Sequence, residues 1–401
     1  MREPRLEVAD VFRQYGGRFL CRWGHTASAA QRKALRDISA CRTAALGGRV
    51  EECDSCAHRL IAFNSCRNRH CPKCRSTARD RWLAKQAEAL LPVPYCHGVF
   101  TVPEALAVLG LHNQRCFYAL LFRAISQTLL QIAADRRHLG ARIGFLAVLH
   151  TWTQTLLAHP HVHCLVPAGG LAWDGSRWIH CRPKFFLPVR VLSRLFRGKL
   201  LAFLREAGAQ GELRLSGPLT TLADPAKFDA WLDQLGKQEW VVFAKPPFGG
   251  PEQVLKYLAR YTHRVAISNG RLVSLTQDRV SFRWRDSKDG KRLKVMSLEA
   301  VEFIRRFLLH ILPPGFVKIR PFGFLAHRNR AAALTLCREK LKAGTPTLPA
   351  AVAFTEEQQQ AREHRCPVCQ QGTLRLVARL SAEELMIGTH PATGPHPVDS
   401  S

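Results

Sequence analysis

Hydrophobic and polar positions change period along the chain, and the changes mark its elements. In the first ninety residues, apolar positions recur at helical spacing over about 6–14 and 28–44. A cysteine-rich segment follows, then the helical run TARDRWLAKQAEALL, which Pro92 and Pro94 end. From Tyr95 the pattern becomes strand-like, YCHGVFTV, before a long helix over roughly 112–134. GFLAVLHTWTQTLL (144–157) is rich in β-branched and aromatic residues and predicts a strand. HVHCLVPAGGL (161–171) predicts its antiparallel neighbour, joined through the short loop AHP.

The stretch 185–236 is mostly helical, with LSRLFRGKLLAFLREA as its clearest amphipathic pattern. A strand, EWVVFAK, and a short helix, PEQVLKYLARY (251–261), come next. Two hairpins are then expected: VAIS-NG-RLVSL, turning at Asn-Gly, and RVSFRWR-DSKDG-KRLKVMS. In the second, strand alternation puts Arg279, Ser281, Arg283 and Arg285 on one face and Val280, Phe282 and Trp284 on the other. The last long helix, LEAVEFIRRFLLHIL, leads to the basic loop KIRPFGFLAHRNR, a Gln/Pro-rich linker and a final CPVC. These shifts predict three consecutive blocks: residues 1–92, 93–330 and a tail, 331–401.

Charge then narrows the partner. The chain has 59 Lys+Arg against 31 Asp+Glu, a net charge of +28 over 401 residues, and this points to a polyanion. Residues 346–401 carry four Lys/Arg and six Asp/Glu, so the body holds the excess and the tail does not. The N-terminus has no apolar leader and no charge-free apolar run reaches the roughly 18 residues of a membrane span, so a soluble intracellular protein is expected. The glycine–lysine pairs at Gly198, Gly236 and Gly290 are not followed by Ser or Thr, so no phosphate-binding loop of an ATP-driven motor is recognisable.

Fourteen cysteines, several in CxxC pairs of a large basic chain, suggest reduced thiolates on zinc. Cys53, Cys56, Cys71 and Cys74 have the spacing of a two-knuckle tetrahedral site, whose four thiolates leave no open coordination position and make it structural. Cys41, Cys66 and His70 lie near enough to replace a ligand or serve a second ion. Cys366 and Cys369 form half a site, which His364 and Cys337 could complete. Around the knuckles, Arg67, Arg69, Lys73 and Arg75 form a basic surface suited to phosphate.

HPHVH, residues 159–163, supplies candidate chemistry. On a strand, His161 and His163 share a face and can both reach one cation, while Val162 packs beneath. Pro160 disturbs the ladder before His159. A third ligand is needed, and Gln154, folding back across the turn, is preferred to His159 and His150. Tyr257 and Tyr261 lie four apart in a helical pattern, among Lys256, Arg260, His263 and Arg264, and such cationic neighbours favour phenolate and attract phosphate. An aromatic core pair is the bland alternative.

HPHVHCLVPAGG followed by YLARYTHR, and preceded by CDSC and SCRNRHCPKC, resembles the rolling-circle transposases of the insertion-sequence-ninety-one family, two-tyrosine members of the HUH (His-hydrophobic-His) endonucleases. The likeness covers roughly residues 10–330 in the family's order of zinc domain, HUH strand and tyrosine helix. It implies an α+β fold, with a central antiparallel sheet, flanking helices and a small N-terminal zinc-binding domain. It implies that His161 and His163 hold a divalent ion, Mg or Mn, and that Tyr257 and Tyr261 are nucleophiles. The implied activity is cleavage and transfer of single-stranded DNA ends of its own element through a 5′-phosphotyrosine. Target DNA and a host helicase would be partners, in a bacterial cytoplasm beside the nucleoid and without a membrane. Lys256, Arg260 and Arg264 would contact DNA. A plasmid relaxase or replication initiator, and a non-enzymatic zinc-containing regulator, are the alternatives.

Overall fold

The computed structural model describes residues 6–74, 82, 89–250, 253–254, 266–286, 289–326, 328, 330–342 and 365–387. The chain divides into two compact units that interleave along the sequence. One comprises Met1–Ala84, Arg264–Ile311 and Leu348–Ser401, the other Lys85–His263 and Leu312–Thr347. The compact units interleave where the sequence predicts three consecutive blocks, because residues 374–380 pair as a strand with 48–53 and Phe307 packs against Phe12.

The first unit begins with helices α1 (Val8–Trp23) and α2 (Ala29–Ser39) and the hairpin strands β1 (Gly48–Cys53) and β2 (Arg59–Phe63). Val8, Phe12, Tyr15 and Phe19 recur three or four apart along α1 and are buried, which fixes its inner face. Capping boxes start both helices, Glu7 with Asp10 and Ser28 with Gln31, each satisfying backbone donors that a helix N-terminus leaves unpaired.

The second unit follows with strand β3 (Tyr95–Thr101), helices α3 (Ala105–His112) and α4 (Gln114–Ala134), strands β4 (Gly144–Trp152), β5 (Ala158–Pro167), β6 (Gly169–Leu171) and β7 (Trp178–His180). Helices α5 (Val189–Ala209) and α6 (Pro225–Lys237) and strand β8 (Val242–Phe248) come after them. The chain then returns to the first unit with strands β9 (Leu272–Thr276), β10 (Arg279–Asp286) and β11 (Arg292–Glu299) and helix α7 (Ala300–Leu309). Strand β12 (Ile319–Gly323) and helix α8 (Arg330–Lys340) belong to the second unit, and β13 (Leu374–Leu380) and α9 (Ala382–Ile387) to the first.

In the second unit, five strands form an antiparallel sheet in the order β12-β4-β5-β3-β8, so the α+β architecture expected from the resemblance is the one observed. Strand alternation gives the sheet two unlike faces. Phe145, Ala147 and Leu149 of β4, Val162, Cys164 and Val166 of β5, and Cys96 and Phe100 of β3 point into one core with α4 and α5. The opposite face receives His150, His161, His163 and His97. Helix α4 is long and apolar enough to cross a membrane, yet Phe117, Leu121, Phe122, Ile125, Leu129 and Ile132 are buried in that core. Each such burial contributes about 1.5–3 kcal/mol, which accounts for a core helix of this composition.

The turn between β4 and β5 lies earlier than AHP. Strand β4 ends at Trp152; Thr153 Oγ1 accepts from the Thr155 and Leu157 N–H groups, Leu156 adopts φ 64°, and β5 resumes at Ala158. Pro160 is accommodated by a bulge: between the pairs His150–His161 and Trp152–Ala158, two residues of β5 face one of β4.

In the first unit, β9, β10 and β11 form one antiparallel sheet and α7 packs behind it, with Phe303 edge-on to Phe282 at 5.9 Å and Phe307 edge-on to Phe12 of α1 at 5.2 Å. The hairpin expected at Asn269-Gly270 is absent. Asn269 begins a short 3₁₀ turn, its Oδ1 accepts from Val8 N–H and its Nδ2 donates to Glu7. The tight turn falls instead at Gln277 and Asp278, both at positive φ, between β9 and β10. Along β10, Val280 and Phe282 are buried whereas Arg279, Arg283 and Arg285 are exposed, as the alternation predicts.

Candidate active site and cysteine clusters

The central pair of the large sheet brings three histidines together. His150 on β4 is the register partner of His161 on β5, and His163 lies one alternation further along the same face. One ring nitrogen from each of His150, His161 and His163 falls within 4.8 Å of the others. Their ring centroids are 4.5 Å apart for His150–His163, 5.0 Å for His161–His163 and 5.4 Å for His150–His161.

The hydrogen bonds orient these rings. His161 Nδ1 lies 2.7 Å from the His159 carbonyl oxygen, an acceptor only, so Nδ1 carries the proton and Nε2 keeps its lone pair. The bulge at Pro160 places that carbonyl within reach. His163 Nδ1 lies 2.9 Å from Nε2 of His97 on the adjacent strand β3, and the two rings are coplanar within 4°. That in-plane contact engages His163 through Nδ1. Burial pushes the His161 imidazole down to about 4, despite the His159 carbonyl, and burial with the nearby Lys245 pushes His97 to about 4. Both are therefore neutral near pH 7, the state a metal ligand requires.

Gln154, the expected third ligand, is exposed in the β4–β5 turn, while His150, one of its alternatives, completes the cluster. The strand ends before Gln154, which removes it from the alternating face. Sequence reasoning did not select His97 at all. Its only signal is the period-two position within YCHGVFT, and the strand pairing is needed to set it beside His163. Tyr257, Tyr261, Lys256, Arg260 and Arg264 lie outside the described residues, as does Arg75.

The cysteines expected at one ion are divided between two clusters in the first unit. Cys71 and Cys74 join Cys41 and Cys66, with Cys74 Sγ 3.5 Å from Cys41 Sγ and 3.6 Å from Cys66 Sγ, and Cys71 Sγ 3.6 Å from Cys41 Sγ. Cys53 and Cys56 join Cys366 and Cys369. The division follows from strand pairing: β1 ends at Cys53 and lies between β2 and β13, whose preceding turn carries the last CxxC. Cys337, weighed as a partner for that motif, is buried on α8 in the other unit, and His364 lies outside the described residues. Of the cationic residues near the knuckles, Arg67 and Arg69 are exposed, but Lys73 is paired with Glu7 at 2.7 Å and is mostly buried.

Comparison with known proteins places these features. Residues 144–332 match a family described as "Putative transposase", and residues 11–102 match one described as "Transposase zinc-binding domain". The chain is 54% identical over 375 residues to the "Putative transposase y4qJ" of Sinorhizobium fredii, covering 92% of this chain and 94% of that one. It is 31% identical over 335 residues to the transposase for insertion sequence element IS801 of Pseudomonas savastanoi pv. phaseolicola, covering 81% and 78% respectively. No solved structure matches. The class defined by these matches is a DNA transposase with an N-terminal zinc-binding domain. The chain belongs to the IS91 family of transposases.

Proposed function

We propose that the chain cuts and rejoins single-stranded DNA ends of its own element by rolling-circle transposition, with tyrosine as nucleophile. The observation that carries the proposal is the triplet His150, His161 and His163, converging on one face of the sheet, with His161 Nδ1 held by the His159 carbonyl and His163 Nδ1 held by His97. Three imidazoles fit a divalent ion and leave coordination positions for phosphate oxygen, with Mn better suited to imidazole than Mg. A divalent ion held there would polarise the scissile phosphate. The histidine–carbonyl bond from His161 and the contact between His163 and His97 keep the donor nitrogens aimed, so ligand reorganisation during reaction is small.

Tyr257 or Tyr261 would attack phosphorus through its Oη, giving up its phenolic proton as the bond to the 3′ oxygen breaks. The departing 3′ oxygen takes up a proton, so the products are a 5′-phosphotyrosine and a free 3′-OH. The phosphodiester's free energy is retained in the tyrosine link, so rejoining to a target strand needs no ATP. A second tyrosine allows one end to be held while the other strand is cut. Lys256, Arg260, Arg264 and Arg75 would contact the phosphates, as would Arg67 and Arg69, which are exposed. A host helicase would supply the displaced strand, and the reaction would take place in the cytoplasm near the nucleoid.

The test is incubation of the chain with labelled single-stranded element ends and Mn²⁺, followed by denaturing electrophoresis. A covalent adduct is expected. Binding without any adduct, across several end sequences and metals, would leave a DNA-binding role and remove the chemistry.

A further inference from the structure

The C-terminal CxxC has no role in the transposition chemistry proposed above, yet it is held firmly. Strand β13, which follows it, pairs antiparallel with β1 from Gly48–Leu380 to Cys53–Leu374, and β1 pairs on its other edge with β2. This three-stranded sheet ends in two knuckles. One is the Cys53–Cys56 turn, closed by Ala57 N–H to the Cys53 carbonyl and Cys53 N–H to the His58 carbonyl. The other is the Cys366–Cys369 turn, closed by Gln370 N–H to the Cys366 carbonyl and Cys366 N–H to the Gly372 carbonyl. Each thus presents two sulfurs toward the other.

The separations decide what fits between them. Cys53 Sγ lies 3.6 Å from Cys369 Sγ, and Cys56 Sγ lies 3.7 Å from Cys366 Sγ. A disulfide would need about 2.05 Å. Four thiolates about 2.3 Å from a tetrahedral zinc lie about 3.8 Å from one another, so these distances suit one ion. Backbone donors also point at the sulfurs, Ser55 N–H to Cys53 Sγ at 3.4 Å and Gly372 N–H to Cys369 Sγ at 3.3 Å. Such bonds stabilise thiolate charge. Asp54 ties the knuckles together from outside by accepting Thr373 N–H at 2.8 Å and pairing with Arg375 at 3.2 Å.

We propose that Cys53, Cys56, Cys366 and Cys369 bind a second structural zinc ion, so that residues more than three hundred apart in sequence complete one split zinc ribbon. The ion fastens the C-terminal segment to the N-terminal unit. Because the ligands are 310 and 316 residues apart, metal binding closes a loop that spans most of the chain, so the β13 segment should detach when the ion leaves. The Cys41–Cys66–Cys71–Cys74 cluster has its own four thiolates and is independent of this one.

Full-length protein reconstituted with Co²⁺ provides the test, because thiolate-to-cobalt charge-transfer absorption reports four-sulfur sites and ignores the histidine cluster. Two equivalents are expected in the wild type, one in Cys366→Ser/Cys369→Ser, and one in Cys71→Ser/Cys74→Ser. Since a variant can fail by misfolding, native zinc-loaded wild type is also alkylated under reducing conditions and mapped by mass spectrometry. Cys53, Cys56, Cys366 and Cys369 should be protected together and become reactive together on chelation. Alkylation of Cys366 and Cys369 in the zinc-loaded protein, while Cys41, Cys66, Cys71 and Cys74 stay protected, would overturn the proposal. So would a single tetrathiolate equivalent in the folded wild type.

Discussion

His97 Nε2 and His163 Nδ1 meet at 2.9 Å in a common ring plane, two imidazoles from neighbouring strands joined edge to edge. His97 is buried and its imidazole is held neutral, so its Nε2 can accept a hydrogen bond from His163 Nδ1–H and fix which nitrogen faces the ion. A His97→Leu variant removes that acceptor while keeping bulk. Mn²⁺ affinity, measured by calorimetry, should fall by roughly 10–100-fold, with His97→Gln recovering part of it. Cleavage at saturating Mn²⁺ should fall less than affinity. Equal Mn²⁺ binding by wild type and His97→Leu would assign His97 to packing alone.

Leu149 and His150 are adjacent on β4 and both buried, but they face opposite sides of the sheet. Leu149→Ala should therefore cost about 2–5 kcal/mol in urea unfolding and leave the metal site's ligands intact. His150→Asn should do the reverse, abolishing cleavage with DNA binding retained. Gln154→Ala, in the exposed turn, should cleave close to wild type. Full activity of His150→Asn, with reduced activity of Gln154→Ala, would return the third position to Gln154.

Much of the fold and site is legible in the residues, and the exceptions have a common cause. Periodicity locates β4 and β5 and the shared face of His161 and His163, because side-chain alternation is a local property of a strand. It also separates the arginines of β10 from Val280 and Phe282. The Asn269-Gly270 pair does not form the expected hairpin because the Asn269 side chain is bound to Glu7 and Val8, an interaction made across the unit and invisible locally. The cysteine partition escapes the sequence for the same reason. CxxC spacing fixes which two sulfurs share a knuckle, but strand pairing between β1 and β13 decides which knuckles meet. His97 needs the β3–β5 register, which no short motif contains.

The exposed face of β10 offers Arg279, Arg283 and Arg285 to solvent, with Leu293 and Val295 of β11 beside Arg285 and Arg283. If these arginines neutralise duplex phosphates, removing each one should flatten the slope of log K against log salt by about 0.9. The variant Arg279→Ala/Arg283→Ala/Arg285→Ala leaves the buried side of the strand untouched, so folding should persist. Fluorescence anisotropy with duplex DNA at several KCl concentrations checks it. An unchanged slope in the folded variant would show that this face meets only water.

The tyrosines give the sharpest separation of chemistry from packing. Tyr→Phe removes only the attacking oxygen and keeps the ring, so nucleophiles and core residues predict opposite results. Tyr257→Phe and Tyr261→Phe should each retain at most partial cleavage, and the double variant should form no covalent adduct while still binding single-stranded DNA. Peptide mapping of the wild-type adduct should place the linkage on Tyr257 or Tyr261. The other three tyrosines provide an internal control, since Tyr15, Tyr95 and Tyr118 are all buried and burial pushes each phenol's pKa up, away from phenolate. An adduct on any of those three would overturn the tyrosine assignment, and an adduct surviving in the double variant would require another nucleophile altogether.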